Sequence, residues 1–225
     1  MRVRIINLKH SYKSGRQIIQ PLKNINLELE PLQTHALVGV SGAGKSTLFH
    51  ILSGIIHPEE GRIFYDDLEW TALSPDEKNH YRSLHIGIVF QNHLLLPYLT
   101  AWENLTLPLK ITGKWNASSE QKAWDLLKEL QLQDRAHHLA SQLSGGESQR
   151  VAIARAVITE PRLILADEPT GQLDEDSAEH TITLLFNLSQ RFKATLFVIT
   201  HDFSIANRCQ TIWRLSKGIV YCEKS

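Results

Sequence analysis

Gly39-Val40-Ser41-Gly42-Ala43-Gly44-Lys45-Ser46-Thr47 fits the spacing G-x-x-x-x-G-K-[ST]. Glycines at this spacing let successive backbone N–H groups curl around phosphate oxygens, and a helix opening at the lysine adds favourable partial charge. In such a loop the lysine reaches the β- and γ-phosphates and the following hydroxyl, here Ser46, ligates Mg²⁺. Far along the chain, Leu163-Ile164-Leu165-Ala166-Asp167-Glu168 is an apolar run closed by two carboxylates. A buried strand there would put Asp167 at its tip to hold Mg²⁺ through water, with Glu168 facing an attacking water. An acid at the end of a strand is common, but paired with the phosphate loop it points to phosphoryl transfer. That chemistry rests on positioning and charge stabilisation.

Such groups need a sheet beneath them. Val3–Leu8 and Ile25–Glu30 alternate as strands do, with Ile25, Leu27 and Leu29 on one face. His35–Val40, Ile86–Phe90 and Leu163–Ala166 are short runs of the kind that buried strands show, and Gly61–Tyr65, Thr195–Thr200 and Thr211–Leu215 read as further strands. The helix opening at Lys45 is predicted to stop at Gly54, ahead of Pro58. Ser74-Pro75-Asp76-Glu77 is a capping box with proline at the first helical position, predicting a helix to about Ser83. Thr100 with Glu103 and Ser118 with Gln121 are two more such boxes, and Trp124, Leu127 and Leu130 share a helix face. Between Gln91 and Arg155 the signal is helical. A further helix is expected around Asp176–Gln190, and Lys217-Gly218 reads as the turn of a last hairpin ending near Cys222.

Composition narrows the functional classes. The 225 residues carry 24 Lys plus Arg against 24 Asp plus Glu, a formal net charge of zero. That balance gives no long-range field for nucleic acid or anionic lipid. Hydrophobic residues make up 42%, which excludes wholesale disorder. Cys209 and Cys222 form no disulfide framework and read as reduced, half-buried side chains. No apolar run follows Arg2 and Arg4, so no signal peptide is expected, and no stretch approaches the ~18 apolar residues of a membrane span. Any membrane role is expected to run through a partner.

Leu143-Ser144-Gly145-Gly146-Glu147 decides among phosphate-loop classes, because it resembles the signature of ATP-binding cassette (ABC) ATPases. The other family motifs follow in order. Tyr12 stands where these proteins stack an aromatic ring on adenine, and Gln91 resembles the glutamine that joins Ser46 and Asp167 around Mg²⁺. Thr170-Gly171-Gln172-Leu173-Asp174 resembles the D-loop, and His201 the histidine that contacts the γ-phosphate. The resemblance spans nearly the whole chain. It implies an α/β fold: a P-loop NTPase (RecA-like) core over 1–91 and 159–225, with an N-terminal antiparallel β subdomain and an inserted α-helical subdomain over 92–158. It implies Mg²⁺-dependent ATP hydrolysis, with Glu168 as general base and Lys45, Gln91 and His201 around the phosphates. Glu147 and Asp174 would be further nucleotide-binding residues, and Ser144, Gly145 and Gly146 would serve nucleotide bound by a second copy, making an ATP-dependent homodimer.

Within the family, Ala166-Asp167-Glu168-Pro169-Thr170-Gly171 and the run from Leu94 through Glu103-Asn104 are most similar to the lipoprotein-releasing (LolD), macrolide-efflux (MacB) and cell-division (FtsE) ATPase group. Gln172 and Ser148 depart from the residues usual there, Asn and Gln, without removing a catalytic group. The resemblance implies a peripheral protein on the cytoplasmic face of the bacterial inner membrane. Its integral permease partner would contact Leu94–Leu109, where Leu94, Leu95, Leu96, Tyr98 and Leu99 form an apolar cluster after Gln91. A transport motor and a regulator of cell-wall remodelling remain alternatives. A soluble ABC ATPase acting on DNA or ribosomes fits less well, since the cassette is single and uninterrupted.

Overall fold

The computed structural model describes residues 1–15 and 17–224, which form two sheets with helices packed on and between them. Strands β1 (Val3–Ser14), β2 (Gln17–Leu29), β4 (Glu60–Tyr65) and β5 (Leu68–Glu69) make an antiparallel sheet in the order β2-β1-β4-β5. Strands β3 (Thr34–Val38), β6 (Ile86–Val89), β7 (Leu163–Asp167), β8 (Thr195–Ile199), β9 (Thr211–Ser216) and β10 (Ile219–Lys224) make the second, in the order β10-β9-β3-β8-β7-β6. All its pairings are parallel except β10 on β9.

Every residue of β3, β7 and β8 is buried, which is why their sequences run apolar without alternation. Parallel strands covered on both faces have no polar side to show. The last turns of β2 do alternate, with Ile25, Leu27 and Leu29 inward and the residues between them exposed. Two apolar clusters result. One joins the antiparallel sheet to one side of the parallel sheet through Leu8, Leu37, Phe49 and Phe197. The other runs from Val38 and Val198 into the helices through Leu105, Leu127 and Val151.

Helices α3 (Ala101–Ile111), α4 (Ala117–Glu129) and α5 (Gly145–Val157) all fall between β6 and β7, which are nonetheless neighbours in the sheet. The insertion therefore leaves the sheet intact. Helices α1 (Lys45–Leu52), α2 (Pro75–His85), α6 (Glu175–Arg191) and α7 (Phe203–Asn207) complete the set. No helix among the described residues is long and apolar enough to cross a membrane.

Several expectations need correction. Ser118 does not cap α4; Asn116 does, its side chain accepting from Ser119 N–H at 3.0 Å while Ser119 Oγ accepts from Asn116 N–H at 2.9 Å. Asparagine is a strong cap, and one placed two residues earlier takes Ser118 into the helix. The cysteines are not half-buried: Cys209 is buried, with burial pushing its thiol up to about 12, and Cys222 is exposed. Strands β1 and β2 run well past the alternating segments, because the hairpin continues through the register Tyr12↔Ile19. The Lys217-Gly218 turn is as expected, both residues having positive φ (52° and 82°) as a tight type I′ hairpin requires.

Candidate active site

Parallel strands present their C-terminal ends along one edge, so the loops leaving β3, β6, β7 and β8 meet there. Those loops carry the phosphate loop, Gln91, Asp167-Glu168 and His201. Together with Tyr12 from β1 they line one cleft of about 470 Å³ that also includes Ser41, Gly42, Gly44, Lys45, Ser46 and Thr47. Residues nearly two hundred positions apart are thus brought together by the sheet order.

Helix α1 begins differently from its neighbours. Helices α2 to α7 each have a side chain accepting from a first-turn amide: Ser74, Thr100, Asn116, Ser144, Asp174 and Asp202. α1 has Gly44 at that position, with φ 107° and no side-chain cap. Its first-turn N–H groups are left for a ligand, and the helix dipole favours an anion there. Two glycines are dictated by space. A Cβ on Gly39 would sit 2.5 Å from Leu215 O, and one on Gly44 would sit 2.9 Å from Pro21 O. Lys45 Nζ folds over the loop, donating to Gly39 O at 2.7 Å and Val40 O at 3.2 Å. Val40 and Ala43 complete the loop without lining the cleft, Val40 being exposed.

Asp167 closes β7 and is buried, with Oδ1 lacking any hydrogen-bond partner. Burial and the adjacent Glu168 charge push its carboxyl above the usual range, while neighbouring His50, Ser46 and Lys45 pull it back. An orphaned carboxylate oxygen beside a serine hydroxyl is a hard-oxygen donor set suited to Mg²⁺, which accepts few protein ligands and keeps waters. Glu168 adopts left-handed φ (43°), held by its N–H to Ile199 O at 2.9 Å and by Gly171 N–H donating back to its carbonyl at 3.1 Å. A non-glycine residue in that region costs ~1–2 kcal/mol and persists only when its surroundings fix it. Its Oε2 lies 2.9 Å from Nδ1 of the largely exposed His201. Tyr12 donates to Thr47 Oγ1 at 3.3 Å, and its ring meets His10 edge-on at 4.8 Å. Ile19 and Pro21 also line this end of the cleft, though nothing in the sequence reading singled them out.

Not every expected residue is in this cleft. Ser144, Gly145, Gly146 and Glu147 open α5 elsewhere, and Asp174 caps α6 with its side chain accepting from Ser177 N–H at 3.0 Å. Ser144 and Glu147 form a capping box, and Arg135 Nε donates to Glu147 Oε1 at 2.8 Å. The bonds from Ser144 and Arg135 hold the Glu147 carboxyl below its ordinary range. Ser144 and Gly145 are exposed.

On the other side of Gln91 lies an apolar cleft of about 430 Å³, lined by Ile88, Phe90, Leu94, Leu107, Pro108 and Ile111 among others. Leu94 and Tyr98 are exposed, whereas Leu95 packs on the helical core. Two residues here have structural roles that the sequence did not state. Asn104, fully buried, accepts from Leu96 N–H at 2.8 Å and donates toward the carbonyls of Leu96, Leu99 and Thr100. Arg155 donates to His93 O and Leu94 O, both at 2.7 Å.

Comparison with known proteins gives consistent matches. Residues 22–171 match the family described as ABC transporter. The lipoprotein-releasing system ATP-binding protein LolD of Idiomarina loihiensis is 41% identical over 222 residues, covering 99% of this chain and 97% of its own. The protein of the same description from Hydrogenovibrio crunogenus is 41% identical over 212 residues, covering 94% and 92%. Among solved structures, the dimeric post-hydrolysis state of the ATP-binding cassette MJ0796 bound to ADP and Pi superposes with a TM-score of 0.91 at 39% identity, covering 99% of this chain and 98% of that one.

Proposed function

The chain belongs to the ABC transporter family, and from that premise we propose that it is the ATP-hydrolysing subunit of a lipoprotein-releasing machine. The observation that carries the ATPase reading is the uncapped start of α1, opposite Asp167 and Glu168 in one cleft. The lipoprotein-releasing assignment rests on relatives of that description matched over nearly their full length.

In this reading the glycine loop and Lys45 bind the triphosphate, and Tyr12 stacks on the adenine. Ser46, Gln91 and Asp167 would hold Mg²⁺, which would supply charge neutralisation to the bound triphosphate. Glu168 takes the proton of the attacking water. His201 contacts the γ-phosphate and, through its bond to Glu168, keeps the base in position. Ser144, Gly145 and Gly146 lie outside the cleft, the first two exposed, a placement that suits nucleotide held by a second copy. The apolar cleft beside Leu94 receives a segment of an integral membrane subunit, so the protein is peripheral to the membrane.

A mixing experiment tests the shared site. Lys45→Ala spoils the phosphate loop and Ser144→Arg spoils the signature, so each homodimer holds two defective sites. A mixed dimer collects both intact halves in one site, and ATP-dependent association should return for the roughly half of dimers that random pairing makes mixed. A mixture as unassociated as its folded components overturns the two-copy reading. The transport reading is tested in vesicles bearing the chain's membrane subunit and an acylated lipoprotein: ATP should drive the lipoprotein's release, and Glu168→Gln should abolish it.

A further inference from the structure

The four residues Gln91 to Leu94 link two cavities. Gln91 lines the nucleotide cleft and Leu94 lines the apolar cleft. Such a short segment transmits a displacement only if its backbone is stiff, and here it is constrained. His93 and Leu94 both have left-handed φ (57° and 48°), and the half-buried Arg155 guanidinium holds both their carbonyls.

A second constraint comes from eighty residues away. Gln172 Nε2 donates to Asn92 Oδ1 at 2.7 Å. Gln172 lies in the segment that leads from Glu168 to the Asp174 cap of α6. Turns from Gly171 N–H to Glu168 O and from Leu173 N–H to Thr170 O, each 3.1 Å, make that segment compact. It touches the site on two sides: a Cβ on Gly171 would lie 3.4 Å from Gln91 Nε2 and 3.6 Å from Glu168 Cβ. Leu173 approaches Gly145 at the start of α5, where a Cβ would lie 3.9 Å from Leu173 Cδ2.

We propose that Gln172 is a positioning residue, whose bond to Asn92 clamps the Gln91–Leu94 segment to the segment carrying Glu168. Loss of that bond thereby alters the spacing between Gln91 and the general base. The proposal rests on the reading of Gln91 and Glu168 as nucleotide-site residues. Gln172 does not line the nucleotide cleft, so its loss changes how often bound ATP is correctly placed for attack and leaves ATP affinity alone. A clamp of this kind also requires the two side chains to act as one unit.

The test is steady-state ATP hydrolysis by the full chain, with Gln172→Met (length kept, donor removed) and Asn92→Ala. Each single substitution should lower kcat about fivefold, the effect of one hydrogen bond, with KM for ATP unchanged. The double variant should fall no further than either single one. The swapped pair Asn92→Gln with Gln172→Asn, which keeps the summed length of the two amides, should recover most of the rate. Thermal midpoints should stay level, because both side chains are exposed. Additive losses of about twenty-fivefold, a rise in KM with kcat unchanged, or a swapped pair as slow as the single variants overturns the clamp. Lys45→Ala is the parallel control. If it abolishes hydrolysis while the clamp variants behave additively, only the clamp fails; if it leaves hydrolysis intact, the nucleotide-site reading fails with it.

Discussion

Asn104→Asp replaces one atom and should make stability depend on pH. Asn104 is fully buried; its Oδ1 accepts from Leu96 N–H, and its amide nitrogen faces three carbonyl oxygens at 3.0 to 3.2 Å. An aspartate keeps the acceptor but aims a second oxygen at those carbonyls. That oxygen is tolerable only when protonated, so the folded-state pKa rises from about 3.9 to beyond neutrality. Below the unfolded value both states are protonated, and the cost is one lost donation, about 1 kcal/mol. Above it the native state binds a proton that the unfolded state releases, and stability falls by about 1.4 kcal/mol per pH unit. Between about pH 4 and pH 7 the added loss approaches 4 kcal/mol. Asn104→Ala instead removes all four contacts at a cost of about 2–4 kcal/mol that does not vary with pH. Urea midpoints of wild type and both variants at several pH values give the differences directly. A constant gap between Asn104→Asp and wild type across that range would refute the argument, by showing that the loop rearranges or that water reaches the site.

Glu168→Gln should keep ATP binding and lower turnover by about 10²–10⁴, the usual contribution of a general base, with an ATP-bound dimer accumulating in size-exclusion runs. Cys222 should react with a thiol reagent in the native protein, whereas Cys209, buried and shifted up to about 12, should react only in denaturant. Equal rates for the two thiols would contradict the placement of Cys209.

Much was legible before any fold was known, because the signals were local. The phosphate loop, the acid pair ending β7, and the boxes at Ser74 and Thr100 are recognisable within a few residues. The two boxes satisfy their own hydrogen bonds where they stand. The apolar runs of β3, β7 and β8 were equally plain, since strands buried on both faces leave no alternation to misread. At Asn116 two local signals competed, and since asparagine and serine cap about equally well, the choice of Asn116 over Ser118 was not legible from residue type.

Tertiary structure decided whatever depends on which segments become neighbours. Placing β3 between β8 and β9 brings the phosphate loop to Glu168 and His201, and no spacing in the chain states that order. The left-handed Glu168, held by Ile199, and the bond from Gln172 to Asn92 are contacts between a loop and a distant partner. Their side chains are ordinary polar residues until the sheet closes around them. The two cysteines make the same point, since the core seals one thiol and the last strand leaves the other in water. Local pattern fixes what a segment prefers; burial and partnership arise only once the segments pack.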